Sequence, residues 1–293
     1  MPDIVIHAVT AAAYAVLAWH FWNTRWRSRP GEAARMEGGL RPLERAAILL
    51  PLALHGALLY LALFAPDELR FGFALALSSM LWLAVLFYWL ESLFYNLDGM
   101  QPPALALAAL AVPLPAIFPG RESGPLGASI EFRLHLVMAV LAYSLFTIAM
   151  LHAVLMAIVE RRLHHSRGGR GAAGGIAGDG AAMLGGPLGA LPPLLTLERL
   201  LFRMISVAFV LLTLTLATGI AFSETLFGRP LRFDHKTLFA LLSWATFALL
   251  LAGRHLYGWR GRTALRWTLS GFVLLLLAYV GSRFVLEVLL GRG

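Results

Sequence analysis

Long apolar segments constrain this chain more than any other feature of its sequence. A helix needs about 20 apolar residues to cross the hydrocarbon of a bilayer, and the 293 residues include eight stretches near or above that length. These run over about 4–23, 45–64, 71–91, 103–118, 132–159, 198–221, 236–257 and 264–290. The sequence therefore predicts an all-α fold, a polytopic membrane helix bundle of about eight transmembrane helices.

The composition supports a membrane protein. Hydrophobic residues make up 59% of the chain and charged residues 14%, whereas a soluble domain carries roughly 25% charged residues. The fourth segment, 103–118, is the weakest of the eight because Pro113 and Pro115 interrupt it. Neighbouring helices can satisfy the backbone groups that a proline leaves unbonded, so we still expect a kinked span there.

The distribution of basic residues predicts the orientation. Two thirds of the 24 Lys and Arg residues fall in or beside three connections, which follow the first, fifth and seventh segments. Cytoplasmic loops carry the excess of Lys and Arg in membrane proteins. We therefore expect these three connections in the cytoplasm, both termini outside, and the chain in the inner (plasma) membrane of a bacterium.

One stretch lacks the composition of a folded element. Residues 166–193 are rich in Gly and Ala, with few large side chains, and such a segment cannot bury enough apolar surface to become ordered. We expect a flexible cytoplasmic loop within a single membrane domain that covers 1–293.

Several classes of chemistry are excluded by the sequence. The chain has no cysteine, so disulfides and thiolate metal sites are ruled out. Hydrolase, P-loop and zinc-protease motifs do not occur, and we predict no catalytic residue and no enzyme. Basic residues are not interleaved with aromatic ones as a nucleic-acid groove requires, so the expected surroundings are membrane lipid, without nucleic acid.

Histidines inside the apolar segments are the strongest candidates for a site. His55 lies near the middle of the second segment beside Gly56, and His135 lies near the outer end of the fifth. Buried polar groups in membranes face the bundle interior or a cofactor, and neutral histidine is a common iron ligand. A plain interhelical hydrogen bond is the alternative for His55. His152 lies about 25 Å further along the fifth helix and could meet His55 instead.

The seventh segment carries polar residues at both ends. Asp234, His235 and Lys236 precede it, and Arg254 with His255 closes it. Lys236 could hold an anionic group, whereas Asp234 could simply cap a helix N-terminus. His255 is a candidate ligand, or a side chain that reaches the inner headgroups.

Three passages resemble the cytochrome c assembly family, the CcsA-type haem-handling membrane proteins, and most closely its short eight-helix HemX/YpjD-like branch. The passages are Leu134-His135-Leu136 followed by LAYSLFTIA, ERLLFRMISVAFVLLTLTLATGIAFSETLF, and DHKTLFALLSWATFALLLAGRHLYGWRGR followed by SGFVLLLLAYVGSR. They cover about residues 131–284.

The resemblance implies a haem-binding integral membrane protein with an accessory role in cytochrome c assembly. It implies non-covalent heme b, with His135 or His55 as the axial ligand of the iron, and His255, Asp234 and Lys236 around the cofactor. Other cytochrome c maturation proteins, or another membrane complex, are the implied partners.

The chain also departs from the family pattern. The outer-loop tryptophans of the haem-delivering members are missing around Arg232–Thr237, and Ala252 stands where the family places a histidine before Arg254. A second interpretation is therefore a haem-free scaffold or regulatory subunit of a membrane complex that keeps the fold.

Overall fold

A computed structural model describes residues 2–27, 40–64, 70–97, 99–122, 129–168, 194–227 and 235–285. Asp234 and most of the predicted loop 166–193 lie outside the described residues. The helices are α1 (Pro2–Phe21), α2 (Pro42–Phe64), α3 (Phe73–Glu91), α4 (Gln101–Ala111), α5 (Leu114–Ile117), α6 (Ile130–Gly168), α7 (Leu194–Phe227), α8 (His235–Tyr257), α9 (Gly261–Leu276) and α10 (Ser282–Phe284). Two π-helical segments, Trp22–Trp26 and Leu277–Gly281, continue α1 and α9, and the two-residue strands β1 (Arg70–Phe71) and β2 (Arg121–Glu122) pair antiparallel.

The prediction of an all-α membrane bundle is confirmed. Within the described ranges, seven helices are long and apolar enough to cross a membrane. The eighth predicted segment, 103–118, forms the shorter apolar stretch Gln101–Ile117. Pro102 and Pro103 occupy the first turn of α4, where their missing N–H groups cost nothing. Pro113 separates α4 from the single turn of α5.

Successive helices run in alternate directions, so the bundle has two distinct ends. Arginines gather at one of them, where α1 and α8 end and α7 begins, and we call this the arginine-rich end; Arg25, Arg203 and Arg254 lie there. The β1–β2 pairing and the first residues of α6 and α8 lie at the opposite end.

Aromatic packing joins α6, α8 and α9 inside the bundle. The rings of Phe146 and Phe247 stack with centroids 4.0 Å apart, and both side chains are fully buried. Gly271 of α9 admits the Phe247 ring, because a Cβ at position 271 would lie 2.8 Å from its Cζ atom. Ser243 of α8 donates a hydrogen bond of 2.9 Å to the carbonyl of Gly271. These contacts hold α8 and α9 together as a tight antiparallel hairpin.

The turn of this hairpin needs glycine. Gly258 and Gly261 have φ angles of +66° and +54°, in the left-handed region that side chains disfavour. Between them Trp259 folds back on Gly253, whose missing Cβ leaves room for the indole. The backbone N–H of Trp259 donates to the Gly253 carbonyl at 3.2 Å, and this bond closes the turn.

Two ion pairs tie neighbouring helices at the arginine-rich end. Arg254 of α8 donates to Glu198 of α7, and Arg262 of α9 donates to Glu160 of α6 at 3.0 Å. Glu198 is 7% exposed, and the Arg254 guanidinium also lies over the Phe202 ring, 4.6 Å from its centroid. α7 is thus fastened to α8, and α6 to α9, at this end.

Five elements close a ring towards the opposite end. α3 packs on α6, α6 on α7, α7 on α8, α8 on the π segment Leu277–Gly281, and that segment on α3. Among the other described helices, α2, α4 and α5 pack on α3, α1 packs on α2 and α4, and α9 packs on α6 and α8. The ring is where the candidate site forms.

Candidate functional site

A cavity of about 510 Å³ lies inside this ring. Its walls are mostly apolar, and it falls within the roughly 300–1,000 Å³ typical of small-molecule sites. The lining residues are Phe71, Ala76, Met80, Phe132, His135, Leu136, Ala139, Val140, Tyr143, Thr215, Leu216, Gly219, Ile220, Lys236, Thr237, Ala240, Leu241, Ala278, Tyr279 and Val280. Two of the residues predicted from the sequence, His135 and Lys236, are therefore brought to one cavity.

The histidine of the cavity is held in one orientation. The Nδ1 atom of His135 lies 2.9 Å from the hydroxyl oxygen of Thr218 on α7. The Thr218 hydroxyl donates its single proton to helix carbonyls, those of Leu214 at 2.9 Å or Thr215 at 3.1 Å. With its proton on one of these carbonyls, the hydroxyl accepts from His135, and in that arrangement Nδ1 carries the proton. Nε2 keeps its lone pair, which is the form of imidazole that binds a metal.

A glycine permits this close approach of α6 and α7. A Cβ added to Gly219 would lie 3.3 Å from Cε1 of His135, which is closer than most such contacts. The ring therefore lies against bare backbone, beside the threonine that bonds it. The sequence interpretation missed this pair, although Thr218-Gly219 within a membrane-length helix is the signal that could have revealed it.

A cation lies on the facing wall. Lys236 and Thr237, in the first turn of α8, line the cavity near the end where α6 begins. Lys236 thus places an ammonium group beside an apolar cavity at the level of the bundle where His135 also lies. The predicted contribution of Asp234 falls outside the described residues and stays a prediction.

His55 lies elsewhere. Its side chain is 1% exposed, its Nε2 atom is 2.8 Å from the Ser78 hydroxyl, and its ring meets the edge of the Tyr14 ring. Tyr14 and Ser78 belong to α1 and α3, so His55 lies between α1, α2 and α3. It is not among the lining residues of the cavity, and the two predicted iron ligands, His55 and His135, do not share a site.

The remaining histidines are also separate from the cavity. His255 is exposed at the arginine-rich end of α8, about 28 Å along that helix from Lys236. His152 donates from Nδ1 to the carbonyl of Ile148 at 2.9 Å, and its Nε2 atom faces Glu91 at 3.6 Å. The alternative in which His152 meets His55 is therefore not what the structure forms. Among the described residues, no three acidic, His or Cys side chains gather as a metal cluster.

The chemistry of the cavity follows from these placements. It offers apolar walls, one neutral imidazole nitrogen with a free lone pair, and one ammonium group. A ligand that matches these three features is flat or elongated and apolar. It carries a metal that the imidazole nitrogen can bind, and an anionic edge that the ammonium group can bind.

Comparison with known proteins agrees with the architecture. The family model of the cytochrome C assembly protein matches residues 43–290. The inner membrane protein YpjD of Escherichia coli (strain K12) is 28% identical over 190 residues, which cover 65% of this chain and 65% of YpjD, just under two thirds of its length.

Two further relatives extend the comparison. An uncharacterized 28.8 kDa protein of Azospirillum brasilense is 32% identical over 228 residues, 73% of this chain and 76% of that protein. The cytochrome c biogenesis protein CcsA of Prochlorococcus marinus (strain MIT 9515) is 38% identical over 89 residues, 30% of this chain and 28% of CcsA. No solved structure matches the chain. Because the family model spans most of the sequence, the chain belongs to the cytochrome c assembly protein family.

Proposed function

We propose that this protein binds one heme b non-covalently in the cavity between α3, α6, α7 and α8, with His135 as an axial ligand of the iron. The observation that carries the proposal is the His135 imidazole itself, fixed by Thr218 so that Nε2 is free at the wall of an apolar cavity of about 510 Å³. When bound, the haem would supply the iron and its redox chemistry.

The residues present fit this group. A porphyrin is large, flat and apolar over both faces, and the walls offer Leu, Val, Ala, Phe and Ile side chains over most of their area. Second-shell hydrogen bonds to the distal ring nitrogen orient a ligating histidine and raise its basicity, and Thr218 provides such a bond. With no cysteine in the chain, thioether attachment to this protein is excluded, which supports a b-type rather than a c-type haem.

Lys236 supports an orientation for the cofactor. The propionates of a haem are anionic, and charge-assisted hydrogen bonds to them are about twice as strong as neutral ones. Lys236 lies at the end of the cavity that is farther from the arginine-rich end. The propionate edge of the haem would therefore point away from the arginine-rich end. The positive-inside rule then places the arginine-rich end in the cytoplasm, with both termini and the propionates outside.

The role that fits is haem handling or presentation, as an accessory component of cytochrome c assembly in the bacterial inner membrane. Two relatives support this: one is called an inner membrane protein and another a cytochrome c biogenesis protein. Ligation of haem to an apocytochrome needs cysteines, which a partner would contribute because this chain has none. The protein would therefore act with other maturation proteins rather than catalyse ligation itself.

The experiment that tests the proposal compares two histidine variants. Wild-type, His135→Ala and His255→Ala proteins are purified in detergent, and haem per chain is measured as the pyridine haemochrome after each is supplied with hemin. We expect wild-type and His255→Ala to hold close to one haem per chain, and His135→Ala to lose most of it.

Either contrary result is informative. If His135→Ala retained the wild-type haem content, His135 would not be the ligand and the proposed site would be wrong. If the wild-type protein stayed colourless with added hemin, haem binding itself would be refuted, and a scaffold role for the fold would take its place.

A further inference from the structure

A carboxyl group and an imidazole face each other towards the arginine-rich end, away from the cavity. Glu91 is the last residue of α3, and His152 lies on α6, which packs on α3. The Oε2 atom of Glu91 lies 3.6 Å from the Nε2 atom of His152, and the two side chains are 15% and 0% exposed. Neither atom has a hydrogen-bond partner within the described part of the chain. Native proteins leave few buried polar groups unbonded, so this pair calls for something that joins it.

Both facing atoms are acceptors unless a proton is added. Nδ1 of His152 lies 2.9 Å from the carbonyl oxygen of Ile148, which can only accept a hydrogen bond. Nδ1 therefore carries the proton of the neutral imidazole, and Nε2 presents a lone pair to Glu91. An ionised carboxylate is also an acceptor only, so an ionised Glu91 and a neutral His152 would repel each other. The gap is therefore suited to a small cation.

A proton is the cation that fits this gap. Zinc sites use three or four protein ligands, and no third His, Cys or acidic side chain joins the pair among the described residues. A water molecule does not fit between two atoms 3.6 Å apart, because each of its hydrogen bonds needs about 2.7 Å or more. A proton needs only two acceptors, and rotation about the side-chain bonds of Glu91 brings its oxygen within hydrogen-bond distance of Nε2.

The carboxyl group is the better holder of this proton. If His152 held it, a carboxylate and an imidazolium would both be buried. A buried ion pair is stable only when further hydrogen bonds satisfy its remaining polar groups, and Oε2 of Glu91 has none within the described ranges. A protonated Glu91 next to a neutral His152 buries no charge, which avoids the cost of desolvating two ions.

The surrounding charges do not reverse this assignment. Arg203 of α7 interacts electrostatically with Glu91 and favours its ionised form, but the Arg203 side chain is exposed and water screens it. Arg45 of α2 donates to the carbonyl of Ser92, the residue after Glu91. α4 and α5, which also pack on α3, contain no titratable side chain, and the π segment carries Tyr279 towards the opposite end. Four other charged side chains at this end pair with one another, as Glu198–Arg254 and Glu160–Arg262.

We propose that Glu91 and His152 form a proton-binding site, in which Glu91 is a carboxylic acid that donates to Nε2 of His152 and fastens α3 to α6. The two ion pairs at this end join α7 to α8 and α6 to α9, and neither of them reaches α3. Loss of the proton leaves two acceptors face to face, so the contact between α3 and α6 depends on pH. Glu91 is partly exposed, which lets the proton exchange with the solution at the arginine-rich end. The inference does not depend on bound haem.

The first test is the pH dependence of stability. In an unfolded chain, glutamate loses its proton at about pH 4.3 and the histidine cation at about pH 6.5. Above about pH 6.5, the folded pair therefore holds one proton that the unfolded chain does not, and stability must fall as the pH rises. Glu91→Gln keeps an N–H donor for Nε2 but has no proton to lose. We expect the unfolding equilibrium constant, measured by titration with a denaturing detergent, to rise about 10-fold more per pH unit in the wild-type protein than in Glu91→Gln.

Glu160→Gln is the matched control. It makes the same chemical change at the same end of the bundle, but in an ion pair with Arg262 at 3.0 Å, and it should keep the pH dependence of the wild-type protein. Equal pH dependence of the wild-type protein and Glu91→Gln would overturn the proposal. Stabilisation of the wild-type protein but not of Glu91→Gln by added Zn²⁺ would also overturn it, because the pair would then be a metal site.

Infrared spectroscopy provides a measurement that needs no unfolding. At neutral pH, the C=O stretching band of a protonated carboxyl group should be present in the wild-type protein and in Glu160→Gln, and weaker or absent in Glu91→Gln. In His152→Leu the band should move to higher frequency, because the carboxyl group loses its acceptor. If Glu91→Gln fails to fold, the wild-type spectrum still decides, since absence of the band at neutral pH would refute a protonated Glu91.

Discussion

Removal of the Thr218 hydroxyl should weaken haem binding although Thr218 never touches the iron. Thr218→Val keeps the shape and the β-branch of the side chain but removes the acceptor of the 2.9 Å bond from His135 Nδ1. The imidazole is then free to rotate and to exchange tautomers, so a part of the population presents a protonated nitrogen to the iron. Loss of a second-shell partner lowers metal affinity about 10- to 100-fold, or about 1.4 to 2.7 kcal/mol.

The assay is a titration of the haem-free protein with hemin in detergent, followed at the Soret band. Thr215→Val is the matched control, since Thr215 also lines the cavity on α7 and its hydroxyl donates to the Leu211 carbonyl at 2.8 Å. Thr218→Ser, which restores an acceptor, should recover most of the affinity. If Thr218→Val bound hemin as tightly as Thr215→Val, the hydrogen bond would not orient the ligand and the tautomer argument would be refuted.

Two further predictions concern charged side chains, one beside the cavity and one at the arginine-rich end. Lys236→Gln should lower hemin affinity about 10-fold, the scale of one hydrogen bond to a charged group. Lys236→Arg keeps the positive charge and should lose little affinity. If Lys236→Gln bound hemin as tightly as the wild-type protein, Lys236 would not contact the propionates. Glu198→Gln should lower thermal stability in detergent by about 3 kcal/mol, because it leaves the half-buried Arg254 guanidinium without its carboxylate. The more exposed pair is the control: Glu160→Gln should have less than a third of that effect, and an equal effect of both changes would contradict the burial argument.

Much of the fold was predictable because a bilayer demands long apolar helices. Seven predicted segments became helices of spanning length, and the doubtful one, 103–118, became the short pair α4 and α5. Of the prolines that made that segment doubtful in the sequence, Pro113 separates α4 from α5 and Pro115 lies in the single turn of α5. Hydropathy and proline position act locally, so a sequence displays them directly.

The candidate site was predictable only in part, because it depends on which helix faces lie together. Depth along a helix follows from residue number, and His55 was selected on that basis, whereas His135 was selected because its passage resembles the family. Depth does not say to which side a residue points, and His55 turned out to face Ser78 and Tyr14 on the other side of α3.

The paired charges at the arginine-rich end also determine how the cavity can move. Glu198–Arg254 fastens α7 to α8, and Glu160–Arg262 fastens α6 to α9, whereas His135 and Lys236 lie near the far ends of these helices. Helices fastened at one end behave as levers with a common pivot. Over about 20 residues, or about 30 Å, a tilt of only about 4° moves the far end by about 2 Å. The helix tips beside the cavity can therefore shift while the fastened end stays packed, without the bundle unfolding.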